Sequence, residues 1–426
     1  VIRFKQKNVI SENQKKRLEN LSELIYRASL KVKILRHISW PPEVKYQFFK
    51  QNCQKLPEHN YPKFDSTDLD QILLKIDGQI GDTKYDLWLK NKLKDISLSA
   101  NLLKASGTKA FFDISSKIYG LPSTLIHDGQ TKPLDLSEQF YQIINSIDKT
   151  KLKLSKSSKI SSHDVAKQIS STVSDYFGEF APKISVVKHL SAKATATSKK
   201  IKIREDGVFY QSDIDQLINH EAFIHVATTI NGRKQHKMKI LGSNYGAITK
   251  TQEGLAVFSE FITGSIDIDR MRRISDRVKA IHMAIDGADF IEIYRYFVDK
   301  GISRNQAFEN SRRVFRGGVL SGKYPFTKDL VYLDGFIRVY NFFRSSISQG
   351  KIECIELLFA GKMELDDLPV VYSMYKDGLV NKPSFIPPWA MNLNYLICFL
   401  TFSVFLEDIN YSNVSKYYDS LLKGVK

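Results

Sequence analysis

The chain has 426 residues, of which 42% are hydrophobic and 26% charged, and its formal net charge is +17. This composition is typical of a globular protein with two or three domains or one large core, and it excludes disordered and collagen-like chains. The positive charge fits a solvated basic surface or an acidic partner, but no helix-turn-helix, zinc-finger or RNA-binding signature favours nucleic acid.

Helical patterns predominate over the first 180 residues. A capping box at Ser11–Gln14 begins an amphipathic segment that extends to about residue 38. A Lys- and Ser-rich stretch over 149–162 predicts an exposed connection. We therefore divide the chain into an N-terminal helical region (1–160) and a second domain (161–426). Further helices are predicted over 42–53, 67–77, 85–103, 108–118, 136–148 and 162–178.

A short β-rich region follows. Residues 183–190 and 192–203 are rich in β-branched residues and partly alternate, which predicts strands of a small antiparallel sheet. The whole pattern predicts an α+β fold that is mostly helical, with this sheet just before the helix that contains residues 218–229. Later helices are predicted over 251–263, 274–286, 288–300, 303–316, 328–348, 351–360, 392–407 and 411–423.

Neither the cysteines nor the most apolar segment indicates an exported or membrane protein. Cys53, Cys354 and Cys398 form no CxxC pair, which argues against a thiolate zinc site and favours a reducing, cytoplasmic setting. No secretory signal opens the chain. The run Leu393–Leu406 is shorter than the roughly 20 residues of a membrane span, so we predict a buried helix there and no membrane partner.

The segment Ile218–Thr229 reads INHEAFIHVATT. It differs from the zinc-peptidase motif H-E-x-x-H by one extra residue between the histidines. On a regular α-helix, His220 and His225 would point about 140° apart and could not share a metal ion. A π-bulge absorbs one residue and brings them to the same side. A shared metal therefore requires a locally widened helix. The alternative is a regular buried helix on which the two histidines are unrelated.

Two carboxylates complete a candidate zinc site. Glu221 directly follows the first histidine, where zinc peptidases have their general base. Glu253, within Thr251–Ala256 (TQEGLA), is on a predicted helix downstream and offers a third ligand. Two histidines and one carboxylate leave a fourth position for water, which is typical of catalytic zinc. His236 and His282 are the alternative third ligands.

Several segments together resemble one protein family. They are HEAFIH at 220–225, TTINGRKQ at 228–235, TQEGLA at 251–256, RRVFRGG at 312–318 and WPPEVKYQFF at 40–49. The chain resembles the QEGLA-motif proteins, which include bacterial modulators of flavohaemoglobin expression and eukaryotic microtubule-associated tyrosine carboxypeptidases. The resemblance implies a zincin-like metallopeptidase with one Zn²⁺ per chain, held by His220, His225 and Glu253. It also implies that Glu221 is the general base.

The resemblance implies a carboxypeptidase that removes C-terminal residues, tyrosine or other aromatic residues among them, from peptides or proteins. An acidic protein tail is a candidate substrate because the chain is basic. Two other functions stay open. One is a non-catalytic regulator that binds protein or nucleic acid and has a structural or vestigial metal site. The other is a zinc endopeptidase or aminopeptidase. An intact Glu221 favours an enzyme, because a structural zinc site needs no base. Nothing indicates the oligomeric state.

Basic residues downstream are candidates for substrate binding. Arg312, Arg313 and Arg316 lie close together on a predicted helix, where a guanidinium group could bind the terminal carboxylate of a peptide. Cations in a last helical turn also complement the helix dipole, which is the alternative explanation. Lys328 is a further candidate for substrate binding.

Other residues could support the metal or the reaction. Glu260 lies seven residues after Glu253 on the same helix face, and it could orient a ligand histidine or form a surface ion pair. Tyr332 is the candidate for stabilising an oxyanion, although core packing would explain it equally well. Asn231 and Gln235 could hold the chain after the metal helix or cap the end of that helix.

Overall fold

The computed structural model describes residues 10–147, 158–188, 190, 193–407, 409, 414–416 and 418. The protein is mostly helical with one small sheet, as predicted. The helices are α1 (Glu12–Ser29), α2 (Ile34–His37), α3 (Pro42–Lys50), α4 (Thr67–Asp77), α5 (Lys84–Lys104), α6 (Lys109–Tyr119), α7 (Pro133–Ser146), α8 (Ser162–Phe177), α9 (Gln211–Leu217), α10 (Ala227–Lys234), α11 (Thr249–Ile262), α12 (Ile268–Ile285), α13 (Phe290–Asp299), α14 (Arg304–Phe315), α15 (Val331–Ser348), α16 (Glu353–Leu357), α17 (Leu368–Lys376), α18 (Pro388–Met391) and α19 (Leu393–Glu407). The strands are β1 (Lys183–Val187), β2 (Ala194–Thr197) and β3 (Lys200–Arg204). Between α9 and α10 the chain forms a π-helix over Ile218–Val226.

Most predicted helices are present, with ends shifted by a few residues. The predicted helix 42–53 ends at Lys50, because Asn52 and Cys53 have left-handed backbone angles (φ 52° and 59°) that an α-helix does not contain. Most of the predicted connection 149–162 and most of the predicted last helix lie outside the described residues.

The sheet is mixed rather than antiparallel, so that part of the prediction is wrong. β3 lies in the middle, antiparallel to β2 and parallel to β1. The reason is that the stretch 192–203, predicted as one strand, contains a hairpin. The chain reverses at residues 198–199, so β3 runs in the same direction as β1. β2 is left as an edge strand, and it packs against the π-helix.

Two hydrophobic cores meet at the π-helix. The larger core joins the N-terminal helices to the helices after residue 238, and Leu18, Trp88 and Phe258 are among its buried members. The smaller core contains residues of α8, the sheet and the π-helix. Ile224 of the π-helix belongs to the larger core and its neighbour Phe223 to the smaller one. Apolar side chains therefore hold the π-helix on two sides. The division of the chain at residue 160 stays a prediction.

The apolar run Leu393–Leu406 forms α19, but the prediction that this helix is buried is wrong for one of its faces. Leu396 and Leu400 are fully buried, whereas Phe402 and Phe405 are 61% and 60% exposed. The run has too few polar residues to show which face packs on the core, so its pattern could not separate the two arrangements. No helix in the described part of the chain is long and apolar enough to cross a membrane.

Helices α11 and α15 cross at two glycines. A Cβ atom on Gly254 would lie 2.3 Å from the carbonyl oxygen of Gly335, and one on Gly335 would lie 2.2 Å from that of Lys250. Glycine permits this approach because it has no side chain. Because Gly254 directly follows Glu253, the crossing also fixes the backbone position from which the Glu253 side chain extends.

We expect Gly335→Ala to destabilise the protein by about 1–3 kcal/mol, because the added methyl group must push α15 away from α11. Urea unfolding followed by circular dichroism measures this change. Gly78→Ala, at the end of α4, is the control: its Cβ would lie 3.8 Å from the nearest atom, and stability should change by less than about 0.5 kcal/mol. Equal stabilities of the two variants would show that the crossing tolerates a side chain.

Candidate metal centre

His220 and His225 both lie within the π-helix. The wider turn brings their imidazoles together, with ring centroids 4.9 Å apart and ring planes at 81°. A regular α-helix would have directed the two rings to different sides. The structure therefore contains the local widening that a shared metal ion requires.

Glu253 approaches both imidazoles from α11. Its Oε2 lies 3.5 Å from Nε2 of His220 and 3.6 Å from Nε2 of His225. One ligand atom from each of the three residues lies within 4.8 Å of the other two. Among the described residues, no other group of His, Cys, Asp and Glu side chains converges in this way.

This set of donor atoms fits zinc. Bonds of about 2.1 Å in a tetrahedral site place neighbouring ligand atoms about 3.4 Å apart, close to the separations between Glu253 and the two imidazoles. Imidazole and carboxylate are ligands that zinc accepts, and a set without thiolate is typical of catalytic sites. His236 and His282, the alternative third ligands, are not part of the cluster.

A buried ion pair supports His220 from behind. Its Nδ1 lies 2.6 Å from Oε1 of Glu260, and the two oxygens of Glu260 accept hydrogen bonds of 2.8 Å from Arg270. Because Nδ1 is occupied, Nε2 is the nitrogen that faces Glu253 and the second imidazole. Glu260 thus lies where it can orient a ligand histidine, and its own partner is a buried arginine rather than solvent.

Protonation in this cluster is strongly perturbed. Burial opposes charge on His220, but hydrogen bonds to Glu253 and Glu260 outweigh it and raise the pKa of His220 to about 10. Burial also opposes charge on Glu260, but the Arg270 guanidinium beside it lowers its pKa to about 2. The pKa of Glu253 lies well below its usual range despite burial, because Lys328 and the two imidazoles surround it. Both carboxylates are therefore ionised at neutral pH and stabilise a positive charge between them.

Lys328 lies at the ligand cluster itself. Its Nζ is 3.2 Å from Oε1 of Glu253 and 5.4 Å from the ring centre of Tyr332. Burial opposes its charge, but the oxygen atoms of these two residues outweigh burial and raise the pKa of Lys328. The lysine therefore holds the carboxylate oxygen of Glu253 that does not face the imidazoles.

A cavity of about 510 Å³ opens beside the cluster. His220, Glu221 and Tyr332 line it, so the predicted base and the predicted oxyanion tyrosine face the same space as one ligand histidine. The hydroxyl of Tyr332 accepts a hydrogen bond of 3.3 Å from Nη2 of Arg313. His220, Glu221 and Tyr332 thus meet at one open cavity.

Of the three arginines predicted to bind substrate, Arg313 lines this cavity and the other two do not. Arg313 donates hydrogen bonds of 2.5 and 2.9 Å to Asp329. Arg312 pairs with Glu309 instead. α14 ends before Arg316, so this side chain leaves the helix face and is buried elsewhere.

Four arginines of α12 that line the cavity were not predicted as site residues, and Arg272 is one of them. Arg270, Arg273 and Arg277 line the cavity from one side. Their spacing of three and four residues is the signal that could have found them, since it places all three side chains on one helix face. The predicted helix began only at residue 274 and so separated the first two from the third.

Arg273 and Arg277 have unused hydrogen-bonding capacity. Within the described part of the chain, Arg273 forms no side-chain hydrogen bond or ion pair, and the buried Nη1 of Arg277 has no partner. Nε of Arg277 is 3.6 Å from Asp329. Burial and the neighbouring Arg313 lower the pKa of Arg277 to about 10. An anion that entered the cavity would accept hydrogen bonds from the free donors and would stabilise the charged form of Arg277.

Asn231 and Gln235 hold the chain that follows the metal helix. Each side-chain amide donates two hydrogen bonds to backbone carbonyls within residues 359–385. Of the two roles considered for these residues, a helix cap and an anchor for later chain segments, the structure supports the anchor.

The fold and the site define a mostly helical α+β protein with a partly buried His–His–Glu cluster beside a cavity lined by arginines. The chain belongs to the microtubule-associated tyrosine carboxypeptidase family, whose sequence profile matches residues 46–408. This match confirms the family that the motifs indicate.

Individual relatives add little. No curated protein sequence matches the chain significantly. Among solved structures, a protein from Colwellia psychrerythraea that is assigned as a lipoprotein is similar over 91% of this chain and 77% of its own, with 12% identity and a TM-score of 0.39. So weak a likeness supports no inference about fold or function.

We expect Glu260→Gln to weaken zinc binding about 10–100-fold, because the neutral amide no longer orients and polarises the His220 ring. Competition with a chromophoric chelator on the folded variant measures the affinity. Glu221→Gln is the matched control: it removes a carboxylate from the same cavity without removing a ligand or its support, so affinity should stay within about twofold. An unchanged zinc affinity in Glu260→Gln would show that Glu260 does not orient His220 for metal binding.

Proposed function

We propose that this protein is a zinc-dependent carboxypeptidase that removes C-terminal residues, tyrosine or other aromatic residues among them, from peptides or proteins. The observation that carries the proposal is the convergence of His220, His225 and Glu253 beside a cavity that also contains Glu221. The name of the family supports carboxypeptidase activity. One zinc ion per chain would be held by the three converging side chains.

The metal and the side chains of the cavity would have different roles in the reaction. Zinc, when bound, supplies Lewis acidity: it polarises a carbonyl group and makes water more acidic. Glu221 accepts a proton from the attacking water and returns it to the leaving amine. The hydroxyl of Tyr332, held by Arg313, donates a hydrogen bond to the oxygen of the scissile carbonyl as its negative charge develops.

Arg273 and Arg277 are suited to bind the terminal carboxylate of the substrate. Their free donors supply the fork-shaped pattern that a carboxylate accepts. Arg313 is less available, since its Nε and Nη2 already bind Asp329. This assignment favours a carboxypeptidase over an endopeptidase, because an internal peptide segment has no carboxylate to accept from the free donors of these two half-buried guanidinium groups.

The edge strand β2 offers a place for the substrate backbone. Lys193 and Ala194 line the cavity. The carbonyl of Lys193 accepts from the N–H of Arg204 and so faces β3, and the following residue, Ala194, therefore directs its N–H and C=O to the free edge. An extended peptide could pair with these groups while its C-terminus enters the cavity.

The charge of the cavity supports an acidic protein tail as substrate. Seven cationic side chains line it, Lys193, Arg270, Arg272, Arg273, Arg277, Lys300 and Arg313, together with three acidic ones, Glu221, Asp269 and Asp276. Five of the cations are paired with carboxylates in or beside the cavity. Arg273 and Arg277 therefore supply the positive charge that attracts such a tail.

Glu221→Gln should retain zinc yet lower turnover by at least about 1000-fold, because the amide cannot accept a proton from water. Mass spectrometry of a peptide library, incubated with wild type and variant, detects the loss of C-terminal residues. Cleavage within the peptides or from their N-termini would contradict the carboxypeptidase assignment. Equal turnover by the two proteins would exclude Glu221 as base.

Arg277→Gln should raise KM about 10–100-fold for peptides with a free C-terminus, because one of the two carboxylate-binding forks is lost. Arg312→Gln is the control, since this arginine lies outside the cavity, and it should leave KM unchanged. Steady-state kinetics of both variants on each peptide with a free C-terminus and on its C-terminally amidated form measures these changes in KM. An equal loss on both peptides in Arg277→Gln would show that this arginine does not bind the carboxylate.

A further inference from the structure

The outer face of α19 is an exposed apolar surface. Leu396 and Leu400 attach the helix to the core, while Tyr395, Phe402 and Phe405 are 46%, 61% and 60% exposed. Cys398 lies among them and is also exposed. Exposed aromatic side chains on one helix face are costly in water and mark a surface that another molecule covers.

The exposed side chains follow a heptad spacing. On α19 itself, Tyr395, Cys398, Phe402 and Phe405 are spaced by three, four and three residues. Met391, before the helix break at Asn392, and Ile409, just beyond α19, flank them at a spacing of four. Met391 and Ile409 are likewise exposed. An apolar seam with this repeat is the pattern of a helix that packs along a second helix. On the opposite side, the buried Leu396 and Leu400 fall outside the seam.

The seam is symmetric about residue 400. When the helix is turned to run in the opposite direction about residue 400, Tyr395 takes the place of Phe405 and Cys398 that of Phe402. The outer positions, Met391 and Ile409, correspond in the same way. Two copies of the helix placed antiparallel would therefore form matched layers, each with one a-type and one d-type side chain. A twofold interface requires this self-complementarity of a single surface.

We propose that α19 pairs with α19 of a second copy of this chain in an antiparallel, twofold-symmetric dimer. Phe402 of each copy packs against Cys398 of the other, and Tyr395 packs against Phe405. The flanking side chains Thr401 and Leu406 carry no charge that would oppose the approach. This interface lies outside the His–His–Glu cluster and does not depend on the proposed reaction.

A second copy explains the surface better than a lipid bilayer does. A helix that lies in a membrane interface has Lys or Arg on its polar face to bind anionic headgroups, whereas residues 393–406 contain no charged side chain. Half-exposed phenylalanine and tyrosine side chains each have on the order of 100 Å² left to bury. The three aromatic side chains thus supply on the order of 300 Å² per copy, and the exposed Met391, Cys398, Leu406 and Ile409 add to this area toward the roughly 800 Å² per partner of a stable interface.

Sedimentation velocity over a concentration series tests the dimer on the full chain. We expect the 48.8 kDa protein to associate to twice that mass, and we expect Phe405→Glu to raise the dissociation constant at least about 100-fold, because each dimer would bury two carboxylates in apolar layers. Leu74→Glu is the matched control: Leu74 is 74% exposed on α4, and its replacement should leave association unchanged. A monomer at every concentration, or a dimer that Phe405→Glu leaves intact, would overturn the proposal.

A cysteine cross-link tests the antiparallel register. Phe402→Cys, in a Cys354→Ser background, places a new thiol in the same layer as Cys398 of the other copy, so mild oxidation should link the two copies. Leu406→Cys, beside the seam, should not cross-link. Equal cross-linking of both variants would refute the register. Binding of the wild type to vesicles of anionic lipid, with no self-association in solution, would assign the surface to membranes instead.

Discussion

The site depends on one departure from regular helix geometry. Five residues separate His220 from His225, and a helix of normal pitch would point them apart. Over Ile218–Val226 the helix takes the wider π form, and both imidazoles then face Glu253 on the neighbouring α11. A wider turn packs less regularly than an α-helix and needs support from its surroundings. Two hydrophobic cores supply that support, because successive residues of the π-helix belong to different cores.

Polar and steric constraints then position the three candidate ligands. Glu260, itself bound by Arg270, occupies one nitrogen of His220, so the other nitrogen faces Glu253 and the second imidazole. The glycine crossing of α11 and α15 sets the backbone beside Glu253, and Lys328 holds the second oxygen of that carboxylate. Apolar packing, an ion pair and a close helix contact therefore all act on the same three side chains.

Local patterns predicted much of this arrangement, and long-range geometry accounts for the rest. The odd histidine spacing predicted a widened turn on the condition that both histidines bind one metal ion, because the angle between two side chains follows from helix pitch alone. The arginines of α12 could not be assigned to the cavity, since their spacing shows a shared helix face but not which neighbour that face meets. The parallel pairing of β1 with β3 depends on a hairpin whose turn, Ser198-Lys199, carries no glycine, proline or asparagine signal. For α19, uniform hydrophobicity concealed which face was buried.

A crystal structure of the protein grown with zinc, with anomalous diffraction recorded on both sides of the zinc absorption edge, tests the central claim most directly. The account predicts one strong anomalous peak per chain, about 2.1 Å from Nε2 of His220, from Nε2 of His225 and from an oxygen of Glu253. A regular α-helix over residues 218–226 with the two imidazoles apart, or a zinc peak held by other residues, would contradict it.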